Sequence, residues 1–213
     1  MPPDRLILAF DTSAAHCAAA LVLSGKVLIS VQEPMAKGQA ERLVPLLEEV
    51  LASAVFGWRD LGAIAVGVGP GNFTGIRIAV AAARGLALGL NIPAIGVTQF
   101  EALAHGQPRP LLVVEDARRG MVYVQGFGTL PADAAVMPVE AAKTFLHAAA
   151  VTGGGAALIT DAPALPPAMP VAEAIAHVAA MKPGDGARPA PFYLRAADAA
   201  PSRDPGPVIL DDA

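Results

Sequence analysis

The chain has 213 residues, 54% of them apolar, and carries a net charge of −4 at pH 7. That length can bury a substantial core, as one large domain or two small lobes. Its charge argues against a nucleic-acid binder acting alone: Arg118-Arg119 is the one adjacent basic pair, with no aromatic platform beside it. The most apolar stretch, Ile78 to Ile92, is interrupted by Arg84 and Asn91 and falls short of the ~20 residues a membrane span needs. Met1 to Arg5 leads straight into a strand-like run without the apolar segment of a secretory leader. Cys17, the single cysteine, sits among small apolar residues and reads as a buried structural thiol. These features predict a cytoplasmic protein with no membrane association.

In chain order, Leu6 to Phe10 is a short apolar strand ending at the polar turn Asp11-Thr12-Ser13. Cys17 to Leu23 and Lys26 to Val31 follow as strands around a Ser24-Gly25 hairpin turn. From Ala40 to Leu51 the period changes: Leu43, Leu46, Leu47, Val50 and Leu51 form one stripe of an amphipathic helix, with Pro45 tolerable in its first turn. Ile64 to Val68 is a buried strand, Ile76 to Leu90 a second helix ended by Asn91 and Pro93, and Ala94 to Val97 another strand. The second half repeats the theme. Leu111 to Glu115 is a strand delivering Asp116 into a turn, and Met121 to Phe127 is the next strand. Helical segments are expected near Val139 to Ala149 and Val171 to Met181, separated by Gly153-Gly154-Gly155. Two related α/β lobes are therefore predicted, over residues 1–104 and 105–200. The second is the smaller, and an irregular tail covers 201–213.

The turn Gly69-Pro70-Gly71-Asn72-Phe73-Thr74-Gly75 joins a buried strand to a helix, with Thr74 a candidate N-cap. Glycine-rich strand-to-helix turns are places where phosphates bind, because free helix N–H groups point outward. The spacing here fits neither common phosphate motif. No lysine follows as in a Walker A loop, and the glycines are two and four apart where a dinucleotide fingerprint has two and three. The helix behind the turn is rich in small residues (Gly75, Ala79, Ala82, Ala83, Gly85), with Arg77 and Arg84 on its edges. Such a helix suits close packing in a core or a flat surface for a partner, and the residues alone leave both open.

Four motifs in order carry a family resemblance: Phe10-Asp11-Thr12-Ser13, then Gly69 to Arg77, then Asp116-Ala117-Arg118-Arg119-Gly120-Met121-Val122-Tyr123, and finally Pro191-Phe192-Tyr193-Leu194-Arg195. Together, across nearly the whole chain, they resemble the TsaB (YeaZ) family. The resemblance implies an actin/Hsp70-like α/β fold of two lobes, with mixed sheets, flanking helices and an abbreviated second lobe. It implies a non-catalytic subunit needed for N6-threonylcarbamoyladenosine at tRNA position 37, which docks onto the catalytic relative TsaD. It further implies that the ATPase TsaE joins them, that tRNA is held only by the assembled complex, and that homodimers form through the same helical face when the partner is absent.

The expected interface follows the helices that flank the glycine turn: Leu43, Leu47, Phe73, Arg77, Ala79, Val80 and Ala83. No catalytic residue and no metal site is expected. The catalytic relative holds a metal through paired histidines, and the stretch read as equivalent, Lys37 to Leu43, has none; Gln39 stands where many members keep one. His16, His105, His147 and His177 show no ligand spacing. No cofactor is expected. The alternative is a stand-alone actin-like ATPase or small-molecule kinase binding ATP with magnesium through Asp11, Thr12, Asp116, Gly153 and Gly154. In the bland reading of those residues, the aspartates cap turns and the glycines form a loop.

Overall fold

Leu6–Asp11 (β1) is buried along its whole length, which is why it reads as an unbroken apolar run and not as an alternating one. It is the middle strand of a five-stranded sheet of order β3-β2-β1-β4-β5, in a computed structural model that describes residues 5–130, 133–148, 150–184 and 186–194. His16–Leu23 (β2) pairs with β1 antiparallel, and Lys26–Pro34 (β3) pairs with β2 as the exposed edge. Ala63–Gly67 (β4) and Ala94–Val97 (β5) extend the other side in parallel. Parallel neighbours need crossovers, and here both are helical.

The first crossover contains Gln39–Ser53 (α1) and the second is Phe73–Leu90 (α2). Both lie on one face of the sheet, where Leu43, Leu46, Leu47 and Val50 of α1 meet Ile76, Ala79, Val80 and Ala83 of α2 in a single core. Pro45 falls in the second turn of α1, not the first as expected, because the helix starts at Gln39. It is tolerated on the solvent side, at the cost of one intrahelical bond to the Glu41 carbonyl. Arg42 fastens α1 to β3: it donates to both Glu33 carboxylate oxygens at 2.8 and 2.7 Å and to Glu49 at 2.7 and 2.6 Å.

The opposite face is covered from the far end of the chain. Val171–Met181 (α5) packs Ala174, Ile175, Val178 and Ala179 against Ile7 and Ala9 of β1, Ala63 and Ala65 of β4, and Ile95 and Val97 of β5. The boundary drawn from sequence placed residues 105–200 in the second lobe, and α5, within that range, packs on the sheet of the first. A five-stranded sheet with an apolar second face requires a cover, and the nearest unused apolar helix comes from 171–181.

The second lobe is a four-stranded sheet of order β8-β7-β6-β9, built from Leu111–Arg118 (β6), Met121–Phe127 (β7), Ala135–Pro138 (β8) and Ala150–Thr152 (β9). Its order and strand directions repeat the first four strands of the first lobe, without a fifth strand among the described residues. In place of the longer helix expected over 139–149 stands one turn, Val139–Ala142 (α4), continued by a 3-10 segment. Gln99–Ala104 (α3) joins the lobes, burying Phe100 and Leu103 with Leu111 and Val113 of β6. The expected tail 201–213, Arg195 and the side chain of His147 lie outside the described residues.

By length and composition α2 would suffice to cross a bilayer, but its inward side is a packed core face. Two of its glycines make opposite predictions. A Cβ on Gly75 would overlap the Thr12 carbonyl, whereas one on Gly85 meets nothing within 4 Å. Gly75→Ala is expected to destabilise the protein by at least ~2 kcal/mol in urea unfolding, because backbone would have to move. Gly85→Ala is expected to stabilise it by ~0.5–1 kcal/mol through helix propensity.

Candidate functional site

The glycine turn is built against the loop that follows β1. Asn72 N–H donates to the Ser13 carbonyl at 2.6 Å, and Thr12 Oγ1 donates to the Gly75 carbonyl at 2.7 Å. The helix cap is Asn72, whose side-chain oxygen accepts from Gly75 N–H at 3.0 Å, and not the expected Thr74, which already lies in the first turn. Gly69 has φ +94°, a left-handed conformation that a side chain resists, and its carbonyl accepts from Gln99 N–H at 2.8 Å. The turn is thus tied on one side to the Thr12-Ser13 loop and on the other to the start of α3.

Asp11, Thr12 and Ser13 are all buried. Asp11 Oδ2 accepts from Ser13 N–H at 3.0 Å and Ser13 Oγ at 2.9 Å, and His16 Nε2 lies 2.7 Å from it. Asp11 Oδ1 is buried without a hydrogen-bond partner among the described residues. In the second lobe Asp116 Oδ1 accepts from Arg118 N–H at 2.6 Å, closing the start of a two-residue hairpin turn at Arg119-Gly120. Gly154 N–H donates to Glu115 Oε1 at 2.9 Å, and Gly153 packs on the Val114 carbonyl. Burial holds the Glu115 carboxyl above its ordinary range; the Gly154 N–H opposes this and Asp116 adds to it. The five residues of the nucleotide alternative therefore form two groups, Asp11 with Thr12 and Asp116 with Gly153 and Gly154. Each group is bonded within its own lobe, and no hydrogen bond joins them among the described residues.

No three His, Cys, Asp or Glu side chains gather to hold a metal among the described residues. At Lys37 to Leu43, Gln39 donates to the Met35 carbonyl at 3.0 Å and Arg42 is occupied by Glu33 and Glu49. α3 and α5 do bring His105 and His177 together, with ring centroids 5.6 Å apart. Residues 72 positions apart give no spacing signal, so the sequence did not show this pair.

The expected interface divides. Leu43, Leu47, Ala79, Val80 and Ala83 are buried between α1, α2 and the sheet, so they cannot meet a partner directly. The leucine stripe of α1 and the small residues of α2 face each other and the strands. Phe73 and Arg77 are exposed and stand on the outer side of α2 with Ala81, Arg84 and Leu88, the last 75% exposed. Beside it the outer side of α1 presents Glu41, Val44, Pro45 and Glu48. The solvent face of the pair is thus basic on α2 and acidic on α1, with small and apolar residues between. Neither Arg84, Glu41 nor Glu48 forms an ion pair among the described residues.

The C-terminal motif reaches this face. Phe192 N–H donates to the Val68 carbonyl at 2.8 Å, and the Phe192 ring packs with the cores of both lobes. Tyr193 then stacks on Phe73 at 5.2 Å between centroids, and its hydroxyl accepts from Arg77 Nε at 2.8 Å.

Two lobes repeating one strand order, with a helix pair and a returning C-terminal helix on the first sheet, define an actin-like α/β protein. Comparison with known proteins agrees. The family model for TsaD, tRNA N6-adenosine threonylcarbamoyltransferase, matches residues 31–154. TsaB, the tRNA threonylcarbamoyladenosine biosynthesis protein of Escherichia coli, is 38% identical over 122 residues, 55% of this chain and 52% of that protein. The uncharacterized protein Rv3421c of Mycobacterium tuberculosis is 34% identical over 203 residues, 92% of this chain and 94% of its own. The YeaZ structure from Pseudomonas aeruginosa superimposes with a TM-score of 0.72 at 30% identity, over 89% of this chain and 100% of that one. This chain belongs to the TsaB/YeaZ family. It spans about half the length of the TsaB proteins it matches, 58% and 52% for those of Buchnera aphidicola and E. coli.

One titration follows from the core beneath this face. Burial, with Glu33 adding, pushes the Cys17 thiol from 9.0 up to about 11. The folded state therefore favours the neutral thiol. The stability this contributes is complete below the unfolded value and is lost as pH rises through the folded one. Urea midpoints measured from pH 9 to pH 11 should fall more steeply for the native chain than for Cys17→Ala. A thiol reagent at pH 8 should react at the unfolding-limited rate, on the order of a thousand-fold below a free cysteine.

Proposed function

We propose that this chain is a non-catalytic subunit in the formation of N6-threonylcarbamoyladenosine on tRNA, docking through the outer face of α1 and α2 onto the catalytic relative TsaD. TsaE joins the pair, and tRNA is engaged by the assembly. The observation that carries the docking is the outer side of α2. It is an 18-residue apolar helix whose solvent face keeps Phe73, Arg77, Ala81, Arg84 and Leu88 uncovered beside an acidic α1. Aromatic and arginine residues exposed on a helical face are enriched in interfaces. Without the partner, a two-fold arrangement would set the arginines of one copy against the glutamates of another, which supports a homodimer through the same surface. The names of the TsaB relatives supply the pathway. The stand-alone ATPase alternative draws less support, since the Thr12 hydroxyl and one of the two Asp11 carboxylate oxygens are spent on internal hydrogen bonds.

Ala81 is exposed at the middle of the face, so Ala81→Arg tests it without touching the core. Co-purification with the catalytic relative should fall at least ~10-fold in affinity, as for a central interface position, and threonylcarbamoyladenosine formation should fall with it. Unchanged binding and unchanged modification by a folded Ala81→Arg protein would rule the surface out.

A further inference from the structure

Resting on that docking reading, we infer that Tyr193 is a positioning residue that sets Arg77 as a fork for a carboxylate on the partner. Arg77 is held on two sides: its guanidinium carbon lies 3.7 Å above the Phe73 ring centroid and 5.8 Å from that of Tyr193. Its Nε–H is spent on the Tyr193 hydroxyl at 2.8 Å. The two terminal nitrogens make no hydrogen bond among the described residues, so the edge left facing solvent is the one that binds a carboxylate through two parallel N–H bonds. An unsupported arginine on a helix surface loses considerable side-chain freedom on docking. Here the two rings and the hydroxyl have already restricted it.

Tyr193 is itself fixed from below. Phe192 is bonded to the Val68 carbonyl and buried against both lobes, which leaves the next side chain little choice but to lie along the start of α2. Phe73 and Tyr193 are each 43% exposed, so the fork has an apolar rim ready to exclude water around a charged pair. A protein carboxylate is favoured over an RNA phosphate by the surroundings. Glu41 and Glu48 line the neighbouring helix, and the chain as a whole carries −4, so an extended phosphodiester backbone would be repelled where one carboxylate on a protein surface is not.

The test is a double-mutant cycle on affinity for the catalytic relative, using full-length Tyr193→Phe, Arg77→Ala and the combination. Tyr193→Phe keeps the ring stack and removes only the hydroxyl. We expect it to weaken binding roughly five-fold and Arg77→Ala roughly ten-fold or more, as for a hydrogen bond to a charged group. In the Arg77→Ala background Tyr193→Phe should cost nothing further, and the salt dependence of affinity should flatten in Arg77→Ala and less so in Tyr193→Phe, which keeps the charge. The inference is overturned if Tyr193→Phe binds like the native protein, or if its loss persists without Arg77, since the tyrosine would then act by its own contact or by stability. It is also overturned if Arg77→Ala weakens tRNA binding by this chain while leaving partner affinity intact. Ala81→Arg serves as the reference. If that variant abolishes the complex while the cycle shows nothing, only the role of Tyr193 and Arg77 falls; if it too binds normally, the docking face falls with them.

Discussion

The first lobe depends on one contact, between the Thr12-Ser13 loop and the start of α2. Two hydrogen bonds define it, Asn72 N–H to the Ser13 carbonyl and Thr12 Oγ1 to the Gly75 carbonyl, and Gly75 permits it because any side chain there would occupy the space of the Thr12 carbonyl. By holding the N-terminus of α2 against the end of β1, the contact fixes which side of the helix meets the sheet. Ile76, Ala79, Val80 and Ala83 are turned inward, and Phe73, Arg77, Ala81 and Arg84 outward as a consequence. Core and surface on this helix follow from one anchoring point and the helical period.

The same contact occupies part of a loop that resembles a phosphate cradle. A strand-to-helix turn binds anions when its N–H groups face free space. Here Asn72 N–H is taken by the Ser13 carbonyl and Gly75 N–H by the Asn72 side chain. Asp11 is enclosed beneath them, with Ser13 and His16 on one of its oxygens. The polar residues at the heart of the lobe thus fasten one another, while Phe73, Arg77, Ala81 and Arg84 stand exposed on the outer side of α2.

The C-terminal segment connects this surface to the rest of the molecule. Phe192 shares the cores of both lobes, α5 covers the second face of the first sheet, and Tyr193 completes the surface at Arg77. A chain with a reduced second lobe therefore sends its last described residues back to the first. That lobe needs them because a sheet apolar on both faces is stable only when both are covered.

Periodicity located β1 to β7, the two crossover helices and α5 with ends within about three residues, because strand and helix periods are local properties of the chain; β8, β9 and α3 are too short to show a period and were missed. The glycine turn, the small residues of α2 and the leucine stripe of α1 were legible for the same reason. Tertiary structure alone decided their direction. A stripe of Leu43, Leu47, Ala79 and Ala83 has the same pattern whether it faces a partner or its own sheet, and here the sheet takes it. The sequence also gave no sign that α5 belongs to the first lobe, that His16 meets Asp11, or that Tyr193 meets Arg77 across 116 positions. Those pairings depend on which surfaces are left uncovered once the sheets have formed. The family was determined by the motifs themselves, and the outward face of α2 by the packing of every other element around it.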